Sequence, residues 1–194
     1  NQMKNKWGSS YSTYYQKIQN AVRSTENIVV TYQGSLIDAV YHSTSNGKTE
    51  DSEHVWGNAF PYLKSVDSSW DKDASTYLRS TTISKVKFLT TFALSEEDYS
   101  VEILSRNRSG RVTSVRVGNQ TYSATTFRTK LSLRSTDFDI ELQEENVIIT
   151  TRGYGHGVGV SQYGANGMAK EGYSASQIIK HYYSGVQLTN QQIK

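Results

Sequence analysis

The 194-residue sequence predicts an α+β fold, with an antiparallel β-rich central region set between an N-terminal helix and C-terminal helices. Three observations carry the prediction. Apolar residues recur at helical spacing near the start of the chain. Short alternating runs divided by turn residues fill its middle. A glycine-rich stretch near its end leads into two segments with helix start and stop signals.

Taken in order, residues 7–26 contain one helix. Tyr14, Ile18, Ala21 and Val22 share a face, Ser12 or Thr13 can cap its start, and it should stop near Asn27. Residues 28–43 read as a hairpin. Ile28, Val29, Val30 and Tyr32 form one β-prone run, Leu36, Ile37, Val40 and Tyr41 the next, and Gln33-Gly34 the turn. Residues 44–75 are loop-rich and hold Asn46-Gly47, Gly57-Asn58, the only proline (Pro61), Trp56 and Trp70. A loop that long inside a compact domain is either functional or disordered, and its aromatic residues favour order.

Over residues 76–152, the runs KVKFLTTFAL, YSVEILSRN, RVTSVRVGNQTYSA, FRTKLSL and FDIELQEENVIITT read as strands of an antiparallel sheet or open barrel. Ser109-Gly110 and Gly118-Asn119 separate them, and Arg111 and Arg116 border Val112, Val115 and Val117 as in a half-buried strand. A helix is predicted from about Ser161 to Lys170, stopped by Gly172. A second covers SASQIIKHYYS, with Ser174 as cap and Gly185 beyond its end. Residues 1–75 and 150–194 are thereby expected to form a groove-bearing core, and residues 76–149 a β-rich sub-domain.

Composition narrows the function classes. The net charge is +3, without the basic runs of a nucleic-acid face. A mild positive bias suits anionic wall polymers or a membrane surface. The absence of cysteine excludes disulfides, thiolate metal sites and a thiol nucleophile. No segment approaches the roughly 18 apolar residues that span a bilayer, and no signal peptide is visible. Fourteen tyrosines combine aromatic surface with hydroxyls, a mixture found in β-rich cores and in polymer-binding grooves.

Two motifs carry the chemistry. The first, YHSTSNGKTE from Tyr41 to Glu50, followed by Glu53 and Trp56, displays a histidine, hydroxyls, an amide and carboxylates just after a strand. Such a cluster can bind sugar hydroxyls and N-acetyl groups, or a cation, with His42 as base or ligand. The same residue types also satisfy their own backbone in a capped loop. Nothing in the sequence positions partners for a Ser-His-Asp triad built on Ser43 or Ser45.

The second motif, GYGHGVGVSQYGA from Gly153 to Ala165, alternates glycine around His156 so that the backbone can approach a neighbour or ligand closely. It lacks the dinucleotide fingerprint and any Gly-Lys-Ser/Thr. It either presents His156 and Gln162 or packs with His156 bonded inside.

GYGHGVGVSQYGANGMAKEGYSASQIIKHYYSGVQL resembles the closing signature of the SpoIID/LytB domain family. YHSTSNGKTEDSEHVWGNAFPYLKSVDSSWD resembles its other hallmark segment, and FRTKLSLRSTDFDI the piece between them. The resemblance covers nearly the whole chain in the right order. It implies a lytic transglycosylase that cleaves the glycan strands of peptidoglycan in septal wall remodelling and engulfment during sporulation. It further implies an extracytoplasmic protein held at the sporulation septum by an N-terminal membrane anchor. Its implied partners are stage II sporulation proteins P and M, with P supplying an amidase step that strips peptides from the glycan. The alternative is a non-enzymatic peptidoglycan-binding activator of a cell-wall amidase.

The implied reaction needs one carboxylic acid, which protonates the glycosidic oxygen and then, as base, helps the muramic C6 hydroxyl close onto the anomeric carbon. Water is not the nucleophile, so the paired carboxylates of ordinary glycosidases are not required. The family carries this acid in a Glu-Met-Pro segment ahead of a helix. The sequence has no such tripeptide, so the acid is expected upstream of Asn1 and no residue here is assigned as catalytic.

The resemblance gives substrate binding to Tyr41, His42, Ser43, Ser45, Glu50, His156, Gln162 and Tyr163, with Glu50 and Glu53 structural or substrate-orienting. Some members place cysteine near the first motif. Here serine and threonine stand there, leaving His42, Glu50, Glu53 and His54, so neither a structural metal nor a cofactor is expected. His54 is expected to be solvated, and His181, before Tyr182-Tyr183, packed.

Overall fold

The computed structural model describes residues 2–191. In chain order its elements are α1 (Gln2–Trp7), α2 (Tyr11–Ser24), β1 (Ile28–Tyr32), β2 (Ser35–Leu36), β3 (Tyr41–His42), α3 (Ser52–Trp56), β4 (Leu78–Ser84), α4 (Lys85–Phe92), β5 (Val101–Arg106), β6 (Val112–Val117), β7 (Gln120–Ser123), α5 (Ala124–Lys130), β8 (Asp137–Leu142), β9 (Asn146–Arg152), β10 (Val160–Ser161), α6 (Gln162–Lys170), α7 (Ala175–Tyr182) and β11 (Gln187–Asn190). The class is α+β, as predicted. The chain forms two compact units, one of the residues up to Ile37 with those from Val186 on, the other from Asp38 to Gly185.

In the first unit, α2 follows Ser10, whose side chain makes no capping bond, so Ser12 and Thr13 fall inside its first turn rather than ahead of it. Asn27, with φ 62°, turns the chain into β1. Tyr14, Ile18 and Val22 share a face, but that face is exposed. Gln33 and Gly34 have φ of 49° and 82°, the two positive values that a two-residue type I′ hairpin needs. The hairpin's second arm is shorter than the sequence suggests. Leu36 pairs with Thr31, but Tyr41 belongs to β3, in the other unit. Val40 N–H donates to the Asp38 carbonyl at 2.9 Å, a three-residue turn that breaks the run between them. The free edge of β1 pairs antiparallel with β11.

The second unit holds two three-stranded antiparallel sheets, ordered β4-β9-β8 and β5-β6-β7. Their apolar faces share a core of Phe88, Phe92, Val115, Phe127, Phe138 and Ile149 with further Val and Leu side chains. In β9, Val147, Ile149 and Thr151 point inward and alternate with half-buried residues, the period-two pattern of a strand.

KVKFLTTFAL and FRTKLSL, read as strands, are helical in α4 and α5. The serines ahead of them decide this. Ser84 accepts from the Lys87 N–H and Ser123 from the Thr126 N–H, each satisfying an orphan donor of a first turn. The alternation of Val86 and Phe88 is incidental, since Val86 is exposed while Phe88 and Phe92, one turn apart, are buried. The two C-terminal helices match the sequence. Ser161 caps α6, and Ser174 forms a capping box with Gln177 on α7. Gly172 and Gly185, at φ 92° and 71°, follow their ends.

Candidate functional site

The two motifs are joined strand to strand. β3 and β10 pair in parallel, Tyr41 opposite Val160 and His42 opposite Ser161. Thr44 and Tyr154 exchange backbone bonds of 3.1 and 2.7 Å, and Glu50 N–H donates to the Gly157 carbonyl at 2.8 Å. The glycines of the second motif permit this approach, since a Cβ on Gly153 would stand 2.7 Å from the Thr44 carbonyl oxygen.

Glu50 is the centre of the site and is only 1% exposed. Its Oε1 accepts from Asp51 N–H and from His54 Nδ1, both at 2.9 Å. Its Oε2 accepts from Asn107 Nδ2 and Ser109 Oγ, both at 2.6 Å. Burial alone would raise its pKa, but the bonds from Ser109, His54, Asn107 and Asp51 outweigh it and hold the carboxyl below its ordinary range. The buried guanidinium of Arg111 lies beside it, Nε 3.6 Å from Oε2, and donates through Nη1 to Ser135 Oγ at 3.1 Å. Gly157 covers that guanidinium, where a Cβ would come within 2.4 Å of Nη2.

His42 is buried, with its Nδ1 3.1 Å from the Val158 carbonyl. A carbonyl only accepts, so this nitrogen carries the proton. The other nitrogen, Nε2, is buried without a hydrogen-bond partner. Burial, and next the Arg111 charge, push the ring's pKa down to about 3, so it is neutral at physiological pH. His156 accepts the Val158 N–H at Nδ1, 3.1 Å away, and packs with ring centroids 5.2 Å from Trp56 and 5.7 Å from His42. Burial lowers its pKa most. A backbone bond at Tyr41 opposes this, and the charges of Arg128 and Arg111 add to the lowering.

Glu50, His54, Asn107, Arg111, Arg128 and His156 line one cleft of about 130 Å³. That is below the roughly 300–1,000 Å³ of sites that enclose a whole ligand, so it suits a substituent rather than a sugar ring.

The remaining sequence-predicted residues disperse. Tyr41 and Gln162 are exposed. Tyr163 donates its N–H to the half-buried Ser43's carbonyl at 3.1 Å and lines a second cleft with Trp70. Ser45 is fully buried and donates to Asp71 Oδ2 at 2.6 Å. Asp71 also accepts from Ser68 and Ser161, each at 2.6 Å. His54, expected to be solvated, keeps an exposed ring but is tied to Glu50. His181 is packed as expected, edge-on to Trp70 and Tyr182.

Sequence reasoning missed Asn107, Ser109, Arg111 and Arg128. The Ser109-Gly110 turn is visible in the sequence, but nothing local shows that it folds onto Glu50.

Glu50, Asp51 and His54 bring potential ligand atoms within 4.8 Å of one another. Each carboxylate is already engaged, since Asp51 accepts from Ser65 N–H at 2.7 Å and Arg108 Nη2 at 2.6 Å. A cation would have to displace these donors and sit near two guanidinium groups. Among the described residues, no helix is long and apolar enough to cross a membrane.

No protein-family model matches the chain. Among curated relatives it is 42% identical to stage II sporulation protein D of Bacillus amyloliquefaciens and 40% identical to that of Bacillus subtilis, in each case over 97% of this chain and 55% of the relative. It is 31% identical to the amidase enhancer of Bacillus subtilis, over 88% of this chain and 32% of that protein. The chain thus spans about half the length of the two sporulation proteins it matches.

Proposed function

The chain belongs to the SpoIID/LytB domain family, and from that premise we propose that it is the glycan-recognising part of a sporulation protein that remodels peptidoglycan as a lytic transglycosylase. The observation that carries the reading is the 40–42% identity to two stage II sporulation proteins D across 97% of the chain. The geometry supports it, because both signature segments contribute to one polar cleft holding Glu50, His54 and His156.

Glu50 is not the acid. A general acid needs a carboxyl that stays protonated near neutral pH, which requires a raised pKa. Glu50 is instead held ionised by four donors. We therefore assign proton transfer to the family's Glu-Met-Pro segment, outside this sequence, and give Glu50 and Arg111 the task of fixing the cleft. That acid would protonate the glycosidic oxygen as the bond breaks, then accept the C6 hydroxyl proton as the 1,6-anhydro ring closes. Location at the sporulation septum and work alongside stage II sporulation proteins P and M belong to the same proposal.

The amidase enhancer similarity favours a second reading, a wall-binding module that activates an amidase. One experiment separates the two. The protein, extended through the upstream acid-bearing segment that the transglycosylase reading proposes, is incubated with peptide-free glycan strands and the products are weighed by mass spectrometry. Ends bearing 1,6-anhydromuramic acid, lost when the Glu of that segment becomes Gln, establish the transglycosylase. Glycan binding and amidase stimulation without such ends establish the activator.

A further inference from the structure

The second motif does not serve a single cleft. His156 faces the small cleft beside Glu50, whereas Tyr163 lines another with Trp70, Asp73, Asn166 and Lys170. This second cleft encloses about 470 Å³, within the roughly 300–1,000 Å³ typical of small-molecule sites. It is therefore large enough for a pyranose ring, which the first is not.

Its aromatic wall is held in place. Helix α6 lies against the helical turn at Ser69–Asp73 because Gly167 has no side chain, and a Cβ there would stand 2.5 Å from Trp70 Cβ. Tyr173 and His181 meet the indole edge-on, with centroids 6.2 and 5.6 Å away, and His181 Nε2 is bonded to the Asp67 carbonyl at 2.7 Å. The indole is thus braced yet only half-buried, and Tyr163 is 37% exposed. Around these two aromatics stand an amide (Asn166), a cation (Lys170) and the carboxylates Asp73 and Glu171. Charges of both signs favour a neutral polar ligand over an ion. Aromatic surface suits the C–H face of a sugar, and a side-chain amide, both donor and acceptor, matches an acetamido group.

We propose that this second cleft is a saccharide subsite that seats one N-acetylhexosamine residue against Trp70 and Tyr163, with Asn166 bonding its acetamido group. The inference rests on the glycan-binding reading above and adds a location for the sugar ring.

The test is titration of the chain with the β-1,4-linked tetramer of N-acetylglucosamine, read by NMR at the Trp70 indole N–H and the Asn166 side-chain amide. Both signals should move. Trp70→Ala should weaken binding about fivefold or more, as expected for losing an aromatic contact worth roughly 1 kcal/mol. Asn166→Ala, at an exposed position on α6, should weaken it with unchanged thermal stability, which guards against a Trp70 variant that fails to fold. Tetramer binding that ignores both substitutions but is lost in His156→Ala overturns the subsite and leaves the glycan reading standing. No binding of the tetramer by the unaltered chain overturns the subsite and counts against the glycan reading.

Discussion

Asn107 donates its side-chain amide to Glu50 Oε2 at 2.6 Å across 57 residues of sequence, tying the turn between β5 and β6 to the loop after β3. Ser109 makes the same connection two residues on, also at 2.6 Å. A buried carboxylate is unfavourable unless its oxygens are satisfied, and here the two bonds to Oε2 also hold one segment of the cleft to another, while those to Oε1 come from Asp51 and His54 of its own segment.

Glu50→Gln should therefore destabilise the fold by about 3 kcal/mol. One oxygen becomes an NH₂ that meets donors, and Arg111 loses its countercharge. The pH dependence follows from the direction of the shift. The folded pKa lies below the ordinary 4.5, so the stabilisation is complete above about pH 4.5 and is lost as pH falls through the folded value. Urea denaturation across this range should show the gap between parent and variant narrowing on acidification. Equal stability at pH 7 would refute the role given to Glu50.

His42 shifts in the same direction by another route. Its folded pKa of about 3 lies below the ordinary 6.5, so the neutral ring contributes fully above pH 6.5 and progressively less as pH falls toward 3. His42→Asn keeps an N–H for the Val158 carbonyl but cannot be protonated. It should flatten the stability curve between pH 6.5 and 4. In NMR of the parent protein, the His42 ring signals should stay constant from pH 8 to 5. A midpoint near 6.5 in the folded protein would contradict the burial argument.

What the sequence made legible was local. Ser161, Ser174 and Gly172 announce α6 and α7 because caps and stops act within a turn of themselves, and Gln33-Gly34 announces its hairpin for the same reason. Strands β5 and β6 were readable from period-two alternation, whereas FDIELQEENVIITT, read as one run, is divided into β8 and β9 by a turn in which Gln143 N–H donates to the Asn146 carbonyl. KVKFLTTFAL was misread because Phe88 and Phe92 satisfy helical spacing while Val86 and Phe88 mimic a strand, and only the Ser84 cap decides between them. In the site, Glu50 and His156 were legible from motif chemistry. Arg111 looked like the polar border of a strand, and its burial depends on Glu50 and Ser135, which no local pattern brings to it.

Gly159 tests the junction of the two motifs. It has φ 70°, and a Cβ would lie 2.2 Å from the Val40 carbonyl oxygen, a backbone atom that already accepts from Val160 N–H at 3.2 Å. Neither group can move without parting β3 from β10. Gly159→Ala should cost about 3 kcal/mol or more, combining left-handed backbone strain with the clash. Gly172→Ala is the control, since its φ is 92° but no atom lies within 4 Å, so only about 1 kcal/mol of strain is expected. Thermal denaturation of the pair should keep that order, and equal losses would mean that the contact with Val40 contributes nothing.

Ser45 separates holding the site from touching the ligand. It is fully buried, it donates to Asp71 Oδ2, and its own oxygen accepts from the Gly47 N–H at 3.0 Å. No hydroxyl lone pair or proton is left directed at solvent. Ser45→Ala should lower stability by about 1–2 kcal/mol, while saccharide affinity per folded molecule stays at the parent value. Asp71→Ala should cost more, about 3 kcal/mol, because the hydroxyls of Ser45, Ser68 and Ser161 lose a common buried acceptor at once. Urea denaturation alongside the tetramer titration reads both quantities on one sample. If Ser45→Ala instead weakens tetramer binding with stability unchanged, the hydroxyl reaches the sugar and the Asp71 network is not what holds it.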